Sequence, residues 1–577
     1  NDAIGSIVHL DDRPVEIVGV MAPGVELPAE PGETGRLAST LWMPAQFDPA
    51  GPFYNNHVYD AIARLAPTAT AAQAKGELQR LTPQRPAAFP LAYSERFFTK
   101  YGFRTVLVPL RRYVVGKAAG QLWILFGAVG LVLAIACANV VNLLLVRVEA
   151  RRRELAIRTA LGAGWRDLAA GALREGLTLS AGGALLGVAL AYLGTRALVA
   201  LAPPGVPRLE NVHLDGHVFA FALVLTLAVA GVLAIIPALR ARGVAPVVTL
   251  GDGGRTTTAG RQRQRLRSTL VVSQVALALV LVVGAALLLR SFARLRTADS
   301  GIDARGVLRV DLALSSQRYD SAYKVWQFYE RLLPRIRALP GVATVGLATQ
   351  LPLEGGYGCV VQGFENRTVY QRVKDAGETT CAGQVDASPN YFRAMGIPVQ
   401  QGRALPATDN DNPTNGAVVV SKEFAGRFWP GENPIGQGVA PNGRSIGPFY
   451  HVVGVVGDVH AESIDGPPAI AIYYPMVGIR FKGNNGADWG MTLVVRTTRG
   501  DPMSYLSAIR NLVDDLDPTV PLSDAADMES IVARSMSQLT FTMTLLAIAG
   551  LTALVLAAVG LYGVISYIVA RRTNEIG

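Results

Sequence analysis

The residues to weigh first are those whose type and spacing could break a bond or hold an ion. Gly443 to Gly447 spells GRSIG, the G-x-S-x-G spacing in which a nucleophilic serine sits on a sharp turn between a strand and a helix. Here Pro441-Asn442 comes before it and a Pro-led strand, PFYHVVGVV, comes after, so the sequence predicts a hairpin turn around Ser445. The histidines His9, His57, His213, His217, His451 and His460 show no H-E-x-x-H or comparable ligand spacing, and His451 and His460 are expected to flank a strand. No metal or cofactor is expected. Nowhere does the chain spell G-x-x-x-x-G-K-[ST], the loop that cradles nucleotide phosphates. Cys137 lies in an apolar run; Cys359 and Cys381, 22 residues apart in a polar region, can bridge in an oxidising compartment or stay free. The sequon Asn366-Arg367-Thr368 matters only in a glycosylating host.

With covalent chemistry set aside, the most informative phrase is RRRELAIRTALGAGWRDLAAGALR, which begins at Arg151. Glu154, Ile157, Arg158 and Leu161 set apolar anchors among charges. Gly162-Ala163-Gly164 then breaks the helix, and Trp165-Arg166-Asp167 restarts it. A short helical elbow with an apolar face and a charged rim suits docking into a groove on a partner. It equally suits a basic loop drawn to lipid headgroups. The chain ends on a second version, VARRTNEIG, which sets Glu575 at a spacing of 421 from Glu154.

Both phrases follow long apolar runs. Of 577 residues, 50% are hydrophobic and only 17% charged, a profile of membrane segments mixed with folded domains. Uncharged runs at 118–146, 176–195, 217–239, 268–289 and 536–570 each reach the roughly 20 helical residues that cross hydrocarbon. The net charge of +10 does not point to nucleic acid, because the positive residues crowd beside these runs. Arg151, Arg152, Arg153, Arg158, Arg166 and Arg174 fill one short loop, and seven arginines from Arg240 to Arg267 fill another. The intervening loop has only Arg208. The asymmetry places both Arg-rich loops, and Arg571-Arg572, on the cytoplasmic side. Within the spans, Gly183, Gly187 and Ala191 fall four apart on one face and are expected to let a neighbouring helix approach closely. Asn139 and Asn142, one turn apart, either hydrogen-bond across helices or line a path.

The predicted map runs as follows: a domain over 1–115, spans at 118–148, 175–201 and 217–239, a coupling segment at 149–174, and a basic linker at 240–267. A span at 268–290, a larger domain over 291–535, a span at 536–570 and a second coupling segment from 571 to 577 complete it. Both domains fall on the far side of the membrane and read as α+β. The larger one has expected strands at VLRVDLAL, VATVGLAT, GAVVVS, YHVVGVVGDV and MTLVVRT, and a helix opened by Asp320 and closed before Pro340. An internal duplication is also expected. Val18-Gly19-Val20 matches Val453-Gly454-Val455 at a spacing of 435, LWMPA from Leu41 matches IYYPM from Ile472 at 431, and IARLAPTATAAQAKGELQRL matches VVRTTRGDPMSYLSAIRNL at 431.

These phrases, with ASPNYFRAMGIPVQQGR, FAGRFWPGENPIGQ and VVGVVGDV, resemble the MacB/FtsX-type ABC transporter permeases, in the long bacterial form built from two such units. The resemblance implies an α-helical transmembrane protein with two α+β extracytoplasmic domains of the MacB-like periplasmic core kind, in the bacterial inner membrane. It implies four spans per unit; three plus two are counted here, so the chain, which opens on Asn1 without a signal peptide, is expected to be a fragment cut at both ends. It implies that the elbow docks a separate cytoplasmic ATP-binding subunit and that ATP-driven motion crosses the membrane to move the outer domains. The output would be efflux, export or lipoprotein handling, with membrane lipid and a periplasmic adaptor or outer-membrane channel as further partners. Two rivals remain open: a signalling scaffold that activates an extracytoplasmic partner through the same lever, and a membrane-anchored hydrolase at Ser445.

Overall fold

The computed structural model describes residues 3–22, 41–44, 61–88, 104–115, 118–150, 165–201, 214–241, 257–296, 300–355, 357–358, 360–376, 380–406, 416–441, 449–476 and 488–576. Side chains of 143–150, 165–173, 232–241, 257–267 and 571–576 also stand outside the description. The chain divides into two compact units, Asn1–Gly116 with Ala298–Met536, and Lys117–Thr297 with Ser537–Gly577.

In the first unit, β1 (Ile7–Leu10) and β2 (Arg13–Glu16) pair as a hairpin. Its turn, Asp11-Asp12, has φ of 51° and 60°, the left-handed geometry that matches the twist of two strands. Helix α1 (Ala71–Leu81) opens with a capping box in which the Thr70 hydroxyl accepts from the Gln73 amide and Gln73 reaches back to Thr70. The rest of the expected smaller domain departs from expectation. VEIVGVM stops being a strand at Glu16, and Val18 and Val20 are 83% and 69% exposed. Leu41, Trp42 and Ile62, which the repeat aligns with the larger domain, are exposed coil. A β-strand is stable only with neighbours that take its hydrogen bonds; Ile17 still bonds to Gly5 and Ser6, and past it no such neighbour stands among the described residues. Residues Asn1–Gly116 group with Ala298–Met536 in one compact unit.

The larger domain is built on one mixed sheet. Its strands are β3 (Val307–Ala313), β4 (Val342–Ala348), β5 (Val360–Val361), β6 (Gly363–Phe364), β7 (Cys381–Ala387), β8 (Val399–Gly402), β9 (Ala417–Ser421), β10 (Gly438–Ala440), β11 (Tyr450–Val456), β12 (Ala471–Pro475), β13 (Gly490–Thr497) and β14 (Leu522–Asp527). They run in the order β14-β3-β13-β4-β7-β12-β9-β11-β10-β6, with β5 against β7 and β8 against β11. All five strands expected in this domain form, within a residue or three of the expected ends. The first four in that order, with α6 (Ala322–Arg337) after β3 and α10 (Leu506–Leu516) after β13, make a split β-α-β arrangement.

Leu308, Val310, Leu312, Val345, Leu493 and Val495 from that sheet bury themselves against Phe328, Tyr329, Leu332, Ile509 and Val513 of the two helices. The strands show near-continuous burial because both faces are covered. A second core, inserted between β4 and β13, gathers Phe364, Phe424, Phe428 and Trp429 around α7 (Arg367–Asp375) and α9 (Lys422–Phe428). A third surrounds α8 (Tyr391–Met395). The N-cap of α6 is Ser321, whose side chain accepts from the Lys324 amide. Asp320, the expected cap, instead pairs with the Lys324 ammonium at 2.8 Å, one position too early to reach the open amides.

The second unit is all helix: α2 (Ala118–Ala150), α3 (Trp165–Leu201), α4 (Gly216–Ala241), α5 (Thr257–Arg296) and α12 (Ser537–Ile576); α11 (Met528–Ser535) precedes α12 in the first unit. Among the described residues, Leu122–Asn142, Ser180–Ala200, Ser268–Ser291 and Leu539–Gly563 are long and apolar enough to cross a membrane. The expected third span is realised as α4, of which the described apolar part is only Gly216–Ala228. Leu122, Trp123, Phe126, Leu186, Leu190, Phe221, Val280, Leu287, Leu551 and Tyr562 point outward, more than 45% exposed. Such a coat of large apolar side chains on long helices needs lipid to cover it.

Candidate functional site

Two buried polar clusters stand out among the described residues. One sits in the sheet, where β3 pairs antiparallel with β14. These are the strands next in sequence to the membrane helices: α5 ends at Arg296 and β3 starts at Val307, while β14 ends at Asp527 and leads through α11 to α12 at Ser537. Arg309 of β3, with 5% of its side chain exposed, reaches Asp524 of β14 at 2.6 Å, Glu354 beyond β4 at 3.0 Å and Asp311 at 3.1 Å. A guanidinium presents a rigid fork of donors, so one residue can hold three carboxylates where lysine would hold fewer. Asp524 sits at a bulge of β14 with φ of 45°, and Leu353 beside Glu354 has φ of 68°. Burial is the main influence on Glu354 and pushes its carboxyl up, with Arg309 pulling the other way. At the far end of the same pair of strands, Tyr319 donates to Asp517 at 2.9 Å, and Arg318 reaches Asp517 at 2.9 Å and Asp12 at 3.6 Å. Burial works against the Asp517 charge, but hydrogen bonds from Thr519 and Tyr319, with Arg318, outweigh it and hold the carboxyl below its ordinary range.

The second cluster is in the helical unit. Asn139 of α2 donates to the Leu556 carbonyl of α12 at 2.6 Å and accepts from Gln274 of α5 at 2.7 Å. Asn139 and Gln274 are 6% and 1% exposed. Gly560 of α12 is the floor: a Cβ there would stand 2.0 Å from Asn139 Oδ1 and 3.0 Å from Gln274 Oε1. Asn142, 2% exposed, points its Oδ1 at no partner. The sequence singled out Asn139 and Asn142 but passed over Gln274 and Gly560. A lone amide in VVSQVALALV was the available signal.

Of the other expected site residues, Glu154, Ile157, Arg158, Leu161, Gly162 and Ala163 lie outside the described residues. Trp165, Arg166 and Asp167 open α3 and Glu575 lies in the last turn of α12, with side chains outside the description. Gly183, Gly187 and Ala191 are exposed on α3, and among the described residues nothing lies within 4 Å of a Cβ built on either glycine. Among the described side chains of α3, Ala184, Val188, Thr195 and Leu198 are half-buried. Cys137 is free and Cys381 is disulfide-bonded; Cys359 lies outside the described residues. Ser445 does too; the next described element after it is β11, a strand, where a nucleophile elbow requires a helix. Among the described residues no group of His, Cys, Asp or Glu has the geometry to hold a metal.

Residues 126–246 match the FtsX-like permease C-terminal family, and residues 268–512 match the MacB-like periplasmic core domain. The chain is a MacB/FtsX-type ABC transporter permease. The FtsX-like match in this permease takes in α2, α3 and α4, and the core-domain match runs from α5 to α10. The permease is similar to the macrolide export ATP-binding/permease protein MacB of Shewanella sp., 29% identical over 33% of this chain and 27% of that one. It is also similar to that of Azoarcus sp., 28% identical over 44% and 35%. It therefore spans about a third of the length of these relatives. The periplasmic region of MacB from Actinobacillus actinomycetemcomitans is 17% identical over 41% of this chain and 95% of that one, with a TM-score of 0.28. The extracellular domain of the noncanonic ABC-type transporter YknZ from Gram-positive bacteria is 16% identical over 38% and 100%, with a TM-score of 0.24.

Proposed function

We propose that this permease subunit transmits motion: closure of a separate cytoplasmic ATP-binding subunit pushes the segment 149–174, tilts the long helices and moves the sheet on the far side of the bacterial inner membrane. The observation that carries this reading is the pairing of β3 with β14. These neighbours in the sheet are the strands that continue toward α5 and α12, which are themselves neighbours in the helical unit. A displacement of one helix relative to the other therefore becomes a shear between two hydrogen-bonded strands pinned by Arg309. On this reading hydrolysis belongs to an ATP-binding unit outside the 577 residues, which carry no phosphate cradle.

Export of a hydrophobic compound or peptide is the favoured output. The names of the relatives speak of macrolide export, a property of those proteins. The chain is further read as two related units. Thr70 and Asp501, 431 residues apart, both act as N-caps of helices, α1 and the helical segment that continues into α10. Leu161→Asp tests the coupling. Co-purification of a cognate ABC ATP-binding subunit from detergent-solubilised membranes should be lost while the permease still inserts. Undiminished association would contradict docking at 149–174.

A further inference from the structure

The helices α2 and α12 meet along a stripe that is the same stripe on both. Leu125, Ala128, Val132 and Ile135 of α2 pack in one cluster with Leu546, Ala549, Ala553 and Leu556 of α12. Each of the four α12 residues stands 421 residues after its counterpart on α2, the spacing that separates Glu154 from Glu575. The next position of the stripe, Asn139, meets Gly560, again at 421. Along α2 these positions alternate steps of three and four, the heptad seam of two parallel helices. Two helices that touch through equivalent positions are related by a local two-fold axis, the arrangement of a symmetric dimer interface. Here both halves come from one chain.

The seam is symmetric in its apolar part and asymmetric at one level. At that level α2 supplies an amide, α12 a glycine, and α5 a second amide, Gln274, that closes over the first. We infer that Asn139, Gln274 and Gly560 form a register lock that commits α2 to pair with α12 of the same chain, so that the permease's own second half takes the place of a second copy. The inference rests on the two-unit reading above. In a seam between two copies of α2, Asn139 would face Asn139 with no glycine hollow to receive either amide. A lone buried amide at such a heptad position fixes register because any slip strands it in an apolar seam. A slip of one heptad would set Asn139 against Ala553 or bring Gly560 against Val132, leaving the amides of Asn139 and Gln274 without the partners they now have.

The test uses the full chain in native membranes, with Cys137→Ala to remove the free thiol. Val132→Cys with Ala553→Cys, oxidised by copper-phenanthroline, should give a cross-link within one chain, read as a mobility shift of the monomer band on a non-reducing gel. A dimer-sized product, or no product from this pair and from Leu125→Cys with Leu546→Cys, would overturn the seam. The lock is read separately. An off-register pair one heptad out, Leu125→Cys with Ala553→Cys, should cross-link weakly in the parent and several-fold more once Asn139→Leu is added; an unchanged yield would overturn the lock. Neither readout needs nucleotide or the ATP-binding subunit, so loss of ATPase association in Leu161→Asp with an intact cross-link would sink only the transmission reading.

Discussion

The sheet and the helical unit solve one problem with different chemistry. In each, a single polar side chain ties together the elements through which motion would pass: Arg309 joins β3 to β14, and Asn139 joins α2 to α12 and α5. In the sheet the tie is a full charge held by three carboxylates. In the apolar bundle it is an uncharged amide held by a carbonyl and another amide. Asp311 and Asp524 keep 35% and 43% of their side chains exposed, so solvent can screen the surplus negative charge, whereas a charge in the bundle would have to be stripped of solvent with nothing to replace it. The difference teaches that the dielectric surroundings select the kind of tie, and that the two ties should fail by different amounts.

Breaking the charged tie should have the largest effect. Arg309→Leu leaves Glu354, Asp311 and Asp524 facing one another without a cation, and the expected loss is about 3–5 kcal/mol in urea unfolding of the detergent-solubilised chain. Alkaline pH should come next. Tyr319 is pushed up to about 12, first by burial and then by its bond to Asp517. Its unfolded phenol titrates near 10. As pH rises above that value the unfolded state sheds its proton first, so stability attributable to Tyr319 falls until about pH 12. The difference in unfolding free energy between the parent and Tyr319→Phe should therefore shrink by about 2–3 kcal/mol across that window.

At the acid end the sign reverses. Asp517, held below its ordinary range, contributes stability above the usual carboxylate values that is lost as pH falls through its folded pKa. Loss of a helix cap is smaller again: Thr70→Ala and Asp501→Ala should each cost about 1 kcal/mol, and similar losses would sharpen the match between the repeat-related helices. Smallest is the amide tie. Asn139→Leu should cost about 0.6 kcal/mol in a helix-association assay, because amides freed in a membrane find other partners.

Much of the larger domain was legible in the sequence because its strands are uninterrupted β-branched runs bounded by turns, as in AVVVS and YHVVGVV. The N-cap of α6 was misplaced by one residue because Asp320 and Ser321 are both good caps and only geometry separates them. The smaller region misled for a different reason. VEIVGVM has the composition of a strand, but strand formation is a property of the sheet around it: its first residues pair with β1, and past Ile17 no partner stands among the described residues. In the bundle, Asn139 was visible as a polar residue in an apolar run. Gly560 was not, because a glycine in a membrane helix signals nothing until the atom that fills its missing Cβ position is known.

The central claim is that the segment around Leu161 and the sheet lie on opposite sides of one membrane. Single cysteines at Leu161 and at the exposed Ser504, in the Cys137→Ala background, can be probed with a membrane-impermeant maleimide in spheroplasts. Transmission across the bilayer predicts that Ser504→Cys is labelled in intact spheroplasts and Leu161→Cys only after permeabilisation. Labelling of both before permeabilisation, or of neither, would contradict it.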